Sequence, residues 1–117
     1  MDIKEWKKQI AEDVVEPMLE FIDEEPDGYT KAEVKACKSL LENYLMALKG
    51  LKAPTDAAIM ACVKDVVLAL NELNDQTDGS LIETGEREAI WEIIQGAAVA
   101  CGLSDEPDDV TEEWREW

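Results

Sequence analysis

The stretch that decides the fold is TDAAIMACVKDVVLALNEL, residues 55–73. Ile59, Met60, Cys62, Val63, Val66, Val67, Leu70 and Leu73 recur at steps of three and four and cover well over half of a helical circumference. A helix that is apolar over so much of its girth has to be surrounded, so this one is predicted to be the central helix of an all-α domain, capped by Thr55 or Asp56 and reached from Pro54.

Working outward, the chain supplies the partners that such a helix needs. Upstream, Ile3, Trp6, Ile10, Val14, Met18, Phe21 and Ile22 mark a first amphipathic helix, which Pro17 should kink or divide because proline removes a ladder hydrogen bond and crowds the preceding turn. Thr30-Lys31-Ala32-Glu33 is a capping box that opens a second helix with Val34, Cys37, Leu41, Tyr44, Leu45 and Leu48 on its apolar stripe, ended by Gly50. Downstream, a turn at Asp75-Gln76-Thr77-Asp78-Gly79-Ser80 leads to a last long helix from about Gly85 to Cys101, with Gly102 as its stop. In the tail, Val110, Trp114 and Trp117 are spaced to sit on one side of a short C-terminal helix. No segment alternates as a strand does. The expected architecture is therefore one helical domain over residues 1–117, an up-down-up-down four-helix bundle with a short C-terminal helix.

Charge is the strongest pointer to function. The 117 residues hold 28 acidic side chains against 11 basic ones and no histidine, a formal net charge of −17. Self-repulsion on that scale opposes compaction, and an excess beyond the needs of solubility points to a use for the negative field, most simply a cationic partner. In the expected topology, Asp23, Glu24, Glu25 and Asp27 fall at the same end of the bundle as Asp75, Asp78, Glu83 and Glu86. The opposite end receives Lys4, Lys7, Lys8, Lys49 and Lys52, with the acidic tail residues Asp105, Glu106, Asp108 and Asp109 beside them. Asp23, Glu24 and Glu25 close one helix and Asp75 and Asp78 close another, where the macrodipole opposes negative charge by about 0.3–1 kcal/mol each at low salt. These eight carboxylates are the candidate partner-binding residues. Glu12, Glu16, Glu20 and Glu24, spaced four apart, read instead as a solvated helix face.

Composition also excludes. Without histidine there is no Ser/His/Asp or Cys/His nucleophile, and no glycine-rich phosphate loop occurs, so the reading is not an enzyme and needs no cofactor. Cys37, Cys62 and Cys101 have neither disulfide-framework nor zinc spacing and lie in apolar helical patterns, as buried free thiols do. Asn74 to Gly79 resembles the start of a calcium loop, but the register places Gly85 where the bidentate glutamate is required. The pairs Glu83/Glu86 and Glu20/Asp23 are of the kind helical magnesium-dependent nucleotide hydrolases use, and such pairs arise by chance in so acidic a chain; no metal site is assigned. A phosphate backbone needs a basic patch, so direct nucleic-acid binding is not expected. No apolar run suits a membrane span or a leader at the N-terminus, which makes a cytoplasmic protein the expectation.

A small acidic helical chain of this kind, with LIETGEREAIWEIIQGAAVACGL (81–103) and the tail DDVTEEWREW (108–117), resembles the bacterial immunity proteins that neutralise toxins. Some of those inhibit basic nucleases by presenting carboxylates to the cationic active-site region. The resemblance implies a protein-binding inhibitor with a basic toxin or nuclease as partner. It transfers no binding residue, because the paired tyrosines of the nuclease-colicin inhibitors are not matched by the separated Tyr29 and Tyr44. A nucleic-acid mimic and a carboxylate-metal nucleotide hydrolase are the alternatives.

Overall fold

A computed structural model describes residues 2–24, 28–104 and 108–117. Among them the regular structure is all helical: α1 (Ile3–Ile10), a π-helical turn (Ala11–Val15), α2 (Glu16–Glu24), α3 (Lys31–Lys49), α4 (Asp56–Gln76) and α5 (Thr84–Cys101).

The first helix is divided as Pro17 requires, and the division takes a specific form. Glu16 N–H donates to the Ala11 carbonyl, one residue further back than in an α-helix, so the chain widens just before the proline. Ile10, Val14 and Met18 explain why this is tolerated. Their uniform steps of four drift around a 3.6-residue helix but stay aligned through a wider π turn, and all three are fully buried.

Local signals place the other ends. Thr30 and Glu33 make the capping box of α3, with Ala32 N–H donating to Thr30 Oγ1 at 3.3 Å and Thr30 N–H to Glu33 Oε1 at 3.4 Å. Thr55 Oγ1 accepts from Ala58 N–H at 3.2 Å and starts α4. Helix α5 ends in a Schellman motif: Leu103 N–H returns to the Ala98 carbonyl and Gly102 N–H to that of Val99, with Gly102 at φ 116°. The same pattern ends α4, with Gly79 N–H on Asn74 O and Asp78 N–H on Asp75 O, but here the left-handed position belongs to Asp78, at φ 54°. Helix α4 thus runs to Gln76, one turn beyond the apolar stripe that ends at Leu73.

One core joins all the helices, the short apolar Leu81 and Ile82, and Val110 of the tail. Helix α4 packs chiefly on α3, and α5 contacts α1, α3 and α4. Buried polar groups tie these elements together. Tyr44 Oη donates to the Ile94 carbonyl across α3 and α5 at 2.7 Å, and Asn74 Oδ1 accepts from Ile82 N–H at 2.9 Å, seating the turn after α4. Trp6 of α1 lies directly on Gly96 of α5, where any Cβ would stand 2.5 Å from the indole Cη2.

The expected C-terminal helix is not formed. Residues 108–117 make hydrogen-bonded turns, with Arg115 N–H on Thr111 O at 2.9 Å and Trp114 N–H on Thr111 O at 3.2 Å. A helix this short does not hold itself in water, and buried amides offer the segment better partners. Gln95 Oε1 accepts from Val110 N–H at 2.9 Å, while Asn71 donates to the Trp114 carbonyl at 2.7 Å and accepts from Glu116 N–H at 3.0 Å. Val110 and Thr111 are buried, and Trp114 and Trp117 pack against the core, so the tail docks on its own chain.

Candidate functional site: the carboxylate end of the molecule

The segment after α2 and the connection between α4 and α5 meet in a cavity of about 400 Å³, lined by Gly28, Tyr29, Glu33, Gln76, Thr77, Asp78 and Ser80. Tyr29 anchors it. Its ring stacks on Phe21 with centroids 5.3 Å apart, and its hydroxyl faces the Met18 carbonyl at 3.4 Å. Burial, and then the nearby carboxylates Glu86 and Glu83, push that hydroxyl up to about 12. The start of α5 is therefore electrostatically coupled to the loop before α3.

Of the eight sequence-derived carboxylates, Asp78 lines the cavity. Asp23 and Glu24 are exposed in the last turn of α2, and Asp75 is exposed in the last turn of α4. Glu83 is the N-terminal cap residue of α5, and Glu86, half-buried, is in its first turn. Glu25 and Asp27 lie outside the described residues. The group is thus of two kinds: Glu83 and Glu86 are favoured by the dipole of α5, whereas Asp23, Glu24 and Asp75 stand against the dipoles of α2 and α4.

Sequence reasoning used Glu33 only as a helix cap, yet it also lines this cavity; its bond from Thr30 lowers its pKa. The hydroxyls around it are spent within the turn, Thr77 Oγ1 on Asn74 O and Ser80 Oγ on Thr77 O. What the cavity offers to a visitor is the Glu33 and Asp78 carboxylates and the amide of Gln76. Chemically the Glu33 and Asp78 carboxylates suit an ammonium or guanidinium donor. Among the described residues, no group of three or more acidic or cysteine side chains is placed to hold a metal ion.

Few of the acids are neutralised internally. The described residues make two ion pairs, the exposed Lys8–Glu12 at 4.0 Å and Arg115–Asp109 at 3.2 Å. Lys4, Lys7, Lys8, Lys49 and Lys52, expected at the opposite end, are exposed. The segment after α5 starts at the N-terminus of α4, where Ser104 donates through N–H and Oγ to the Asp56 carboxylate at 2.9 and 2.8 Å. Asp105 and Glu106 lie outside the described residues.

The cysteines are free thiols, Cys37 buried and Cys62 and Cys101 half-buried, and burial pushes Cys37 up to about 12. No described helix is long and apolar enough to cross a membrane. Compared with known proteins, the chain matches no protein family, no curated protein and no solved structure.

Proposed function

We propose that this protein is a non-enzymatic inhibitor that binds a basic protein, most concretely a cytoplasmic immunity protein that neutralises a cationic toxin or nuclease. The observation that carries the reading is the −17 charge of the chain together with its sparse internal compensation, two ion pairs against 24 acids among the described residues. Exposed carboxylates set against the dipoles of α2 and α4, beside a cavity rich in acceptors, support the same reading. In this proposal the helices run up-down-up-down, and the carboxylate end steers association through Asp23, Glu24, Glu25, Asp27, Asp75, Asp78, Glu83 and Glu86.

Steering by surface charge raises the association rate and is screened within about 8 Å at physiological salt. The test is a capture experiment at low salt from the source organism, followed by stopped-flow kinetics with the purified partner. Reversing Asp23, Glu24, Asp78 and Glu83 together slows association, while reversing the same number of tail acids, Asp108, Glu112, Glu113 and Glu116, has a smaller effect at equal net charge. Recovery of no basic protein sinks the proposal, and an equal response to both sets shows that only total charge matters. Competition with DNA for several unrelated DNA-binding proteins would favour the nucleic-acid mimic instead.

A further inference from the structure

The two arginines of this acidic chain, Arg87 and Arg115, line the same cavity, about 230 Å³ between α5 and the C-terminal segment, together with Glu88, Trp91 and Asp109. Their hydrogen-bonding capacity is unevenly used. The Arg115 guanidinium is 3.2 Å from Asp109 Oδ2 and lies 5.4 Å above the Trp117 ring, and Asp109 Oδ1 accepts from both N–H and Oγ1 of Thr111. That pair is satisfied. Arg87 is half-buried one helical turn before Trp91; its backbone N–H donates to the Glu83 carbonyl at 2.8 Å, but its guanidinium has no hydrogen bond or ion pair among the described residues. The indole N–H of Trp91 is enclosed and has no acceptor, a costly condition for a buried donor. Glu88 is exposed. The cavity therefore carries surplus donors in a molecule whose general surplus is of acceptors.

We propose that this cavity is a binding site for one carboxylate on a compact apolar body, with Arg87 as its polar partner and the Trp91 ring as its wall. A planar guanidinium fork matches a carboxylate bidentately; of the two carboxylates in the lining, Asp109 is engaged by Arg115 and Thr111, and Glu88 makes no ion pair with Arg87. The volume is that of about eight waters in the liquid, room for a single aromatic or branched acid. A monoanion is preferred to a dianion, because every negative charge brought in is opposed by the −17 of the chain. This site takes an anion where the carboxylate end takes a cation, so the two readings fail separately.

The test titrates the full chain at matched ionic strength with benzoate, benzylamine or inorganic phosphate. The readout is the Trp91 indole N–H resonance, assigned by its loss in Trp91→Phe. Benzoate is expected to shift it saturably in the millimolar range usual for so small a ligand, benzylamine not at all, and phosphate about tenfold more weakly. Arg87→Gln weakens benzoate about tenfold, Arg87→Lys less, and Glu88→Gln not at all. An equal response to benzylamine, an unchanged affinity in Arg87→Gln, or no saturable shift overturns the proposal. If Arg87→Gln does not fold, Arg87→Lys and the benzylamine arm decide.

Discussion

Replacing Gly96 by alanine sets two known quantities against each other. In an ordinary helix interior the change stabilises by about 1 kcal/mol, because glycine loses the most backbone freedom on folding. At Gly96 the added methyl would stand 2.5 Å from Trp6 Cη2, with Cζ3 at 3.3 Å and Cζ2 at 3.4 Å. Carbon atoms rest at about 3.5–4.0 Å, so the indole has to retreat by about 1 Å, and α1 is held in place by the fully buried Ile10 one turn further on. Overpacking of this kind costs about 1–3 kcal/mol. The expected net effect is a destabilisation of about 1 kcal/mol, seen as a fall in melting temperature of roughly 3–6 °C for a chain of this length. Gly85 is the internal control: nothing lies within 4 Å of its Cβ position, so Gly85→Ala should stabilise by up to about 1 kcal/mol. Urea unfolding, followed by circular dichroism and tryptophan fluorescence, measures both. In a Trp6→Ala background the obstruction is gone, and Gly96→Ala should become stabilising. Should Gly96→Ala stabilise the unaltered chain as much as Gly85→Ala does, the contact between α1 and α5 described above is wrong.

Asp78→Gly should stabilise by about 1 kcal/mol, since it relieves a left-handed non-glycine residue at φ 54° and a charge opposed by the α4 dipole, less the greater freedom of glycine in the unfolded chain; Asp78→Asn, which removes only the charge, should recover less than half of this in the same urea assay. Asn71→Ala should cost about 2–3 kcal/mol and shift tryptophan emission to the red, because the Trp114 carbonyl and Glu116 N–H lose their partner and the tail loosens; a loss under about 0.5 kcal/mol would show that the tail is held by its apolar contacts alone. Alkaline pH should unfold the chain. Tyr29 and Cys37 are both raised to about 12 in the folded state, from 10.0 and 9.0, so the unfolded chain gives up these protons first; the stability they confer is whole below pH 9 and falls away between pH 9 and 12. Cys37 should accordingly resist Ellman's reagent at pH 8 for as long as the protein stays folded, and rapid labelling there would place its thiol outside the core.

Helix positions were legible in the sequence wherever a local rule is sufficient. The capping box at Thr30 and Glu33, the Thr55 cap, the glycine stop at Gly102 and the breadth of the apolar face on residues 55–73 each depend on groups within a few residues of one another, and the structure places the helices where those signals put them. The net charge is likewise a property of the sequence alone. Tertiary structure decided what depends on groups distant along the chain. The tail has helical spacing at Val110, Trp114 and Trp117, yet it forms turns, because Asn71 and Gln95, more than ten residues away, supply the hydrogen bonds that a short helix would otherwise need. Two amides inside apolar helices were the one sequence signal for this, and an amide does not name its partner. The acceptor-lined cavity joins Glu33 to Asp78, and the carboxylate cavity we propose joins Arg87 to Arg115, through folding alone. Periodicity tells each helix which face to bury, but which side chains meet across a groove is set by how the helices pack.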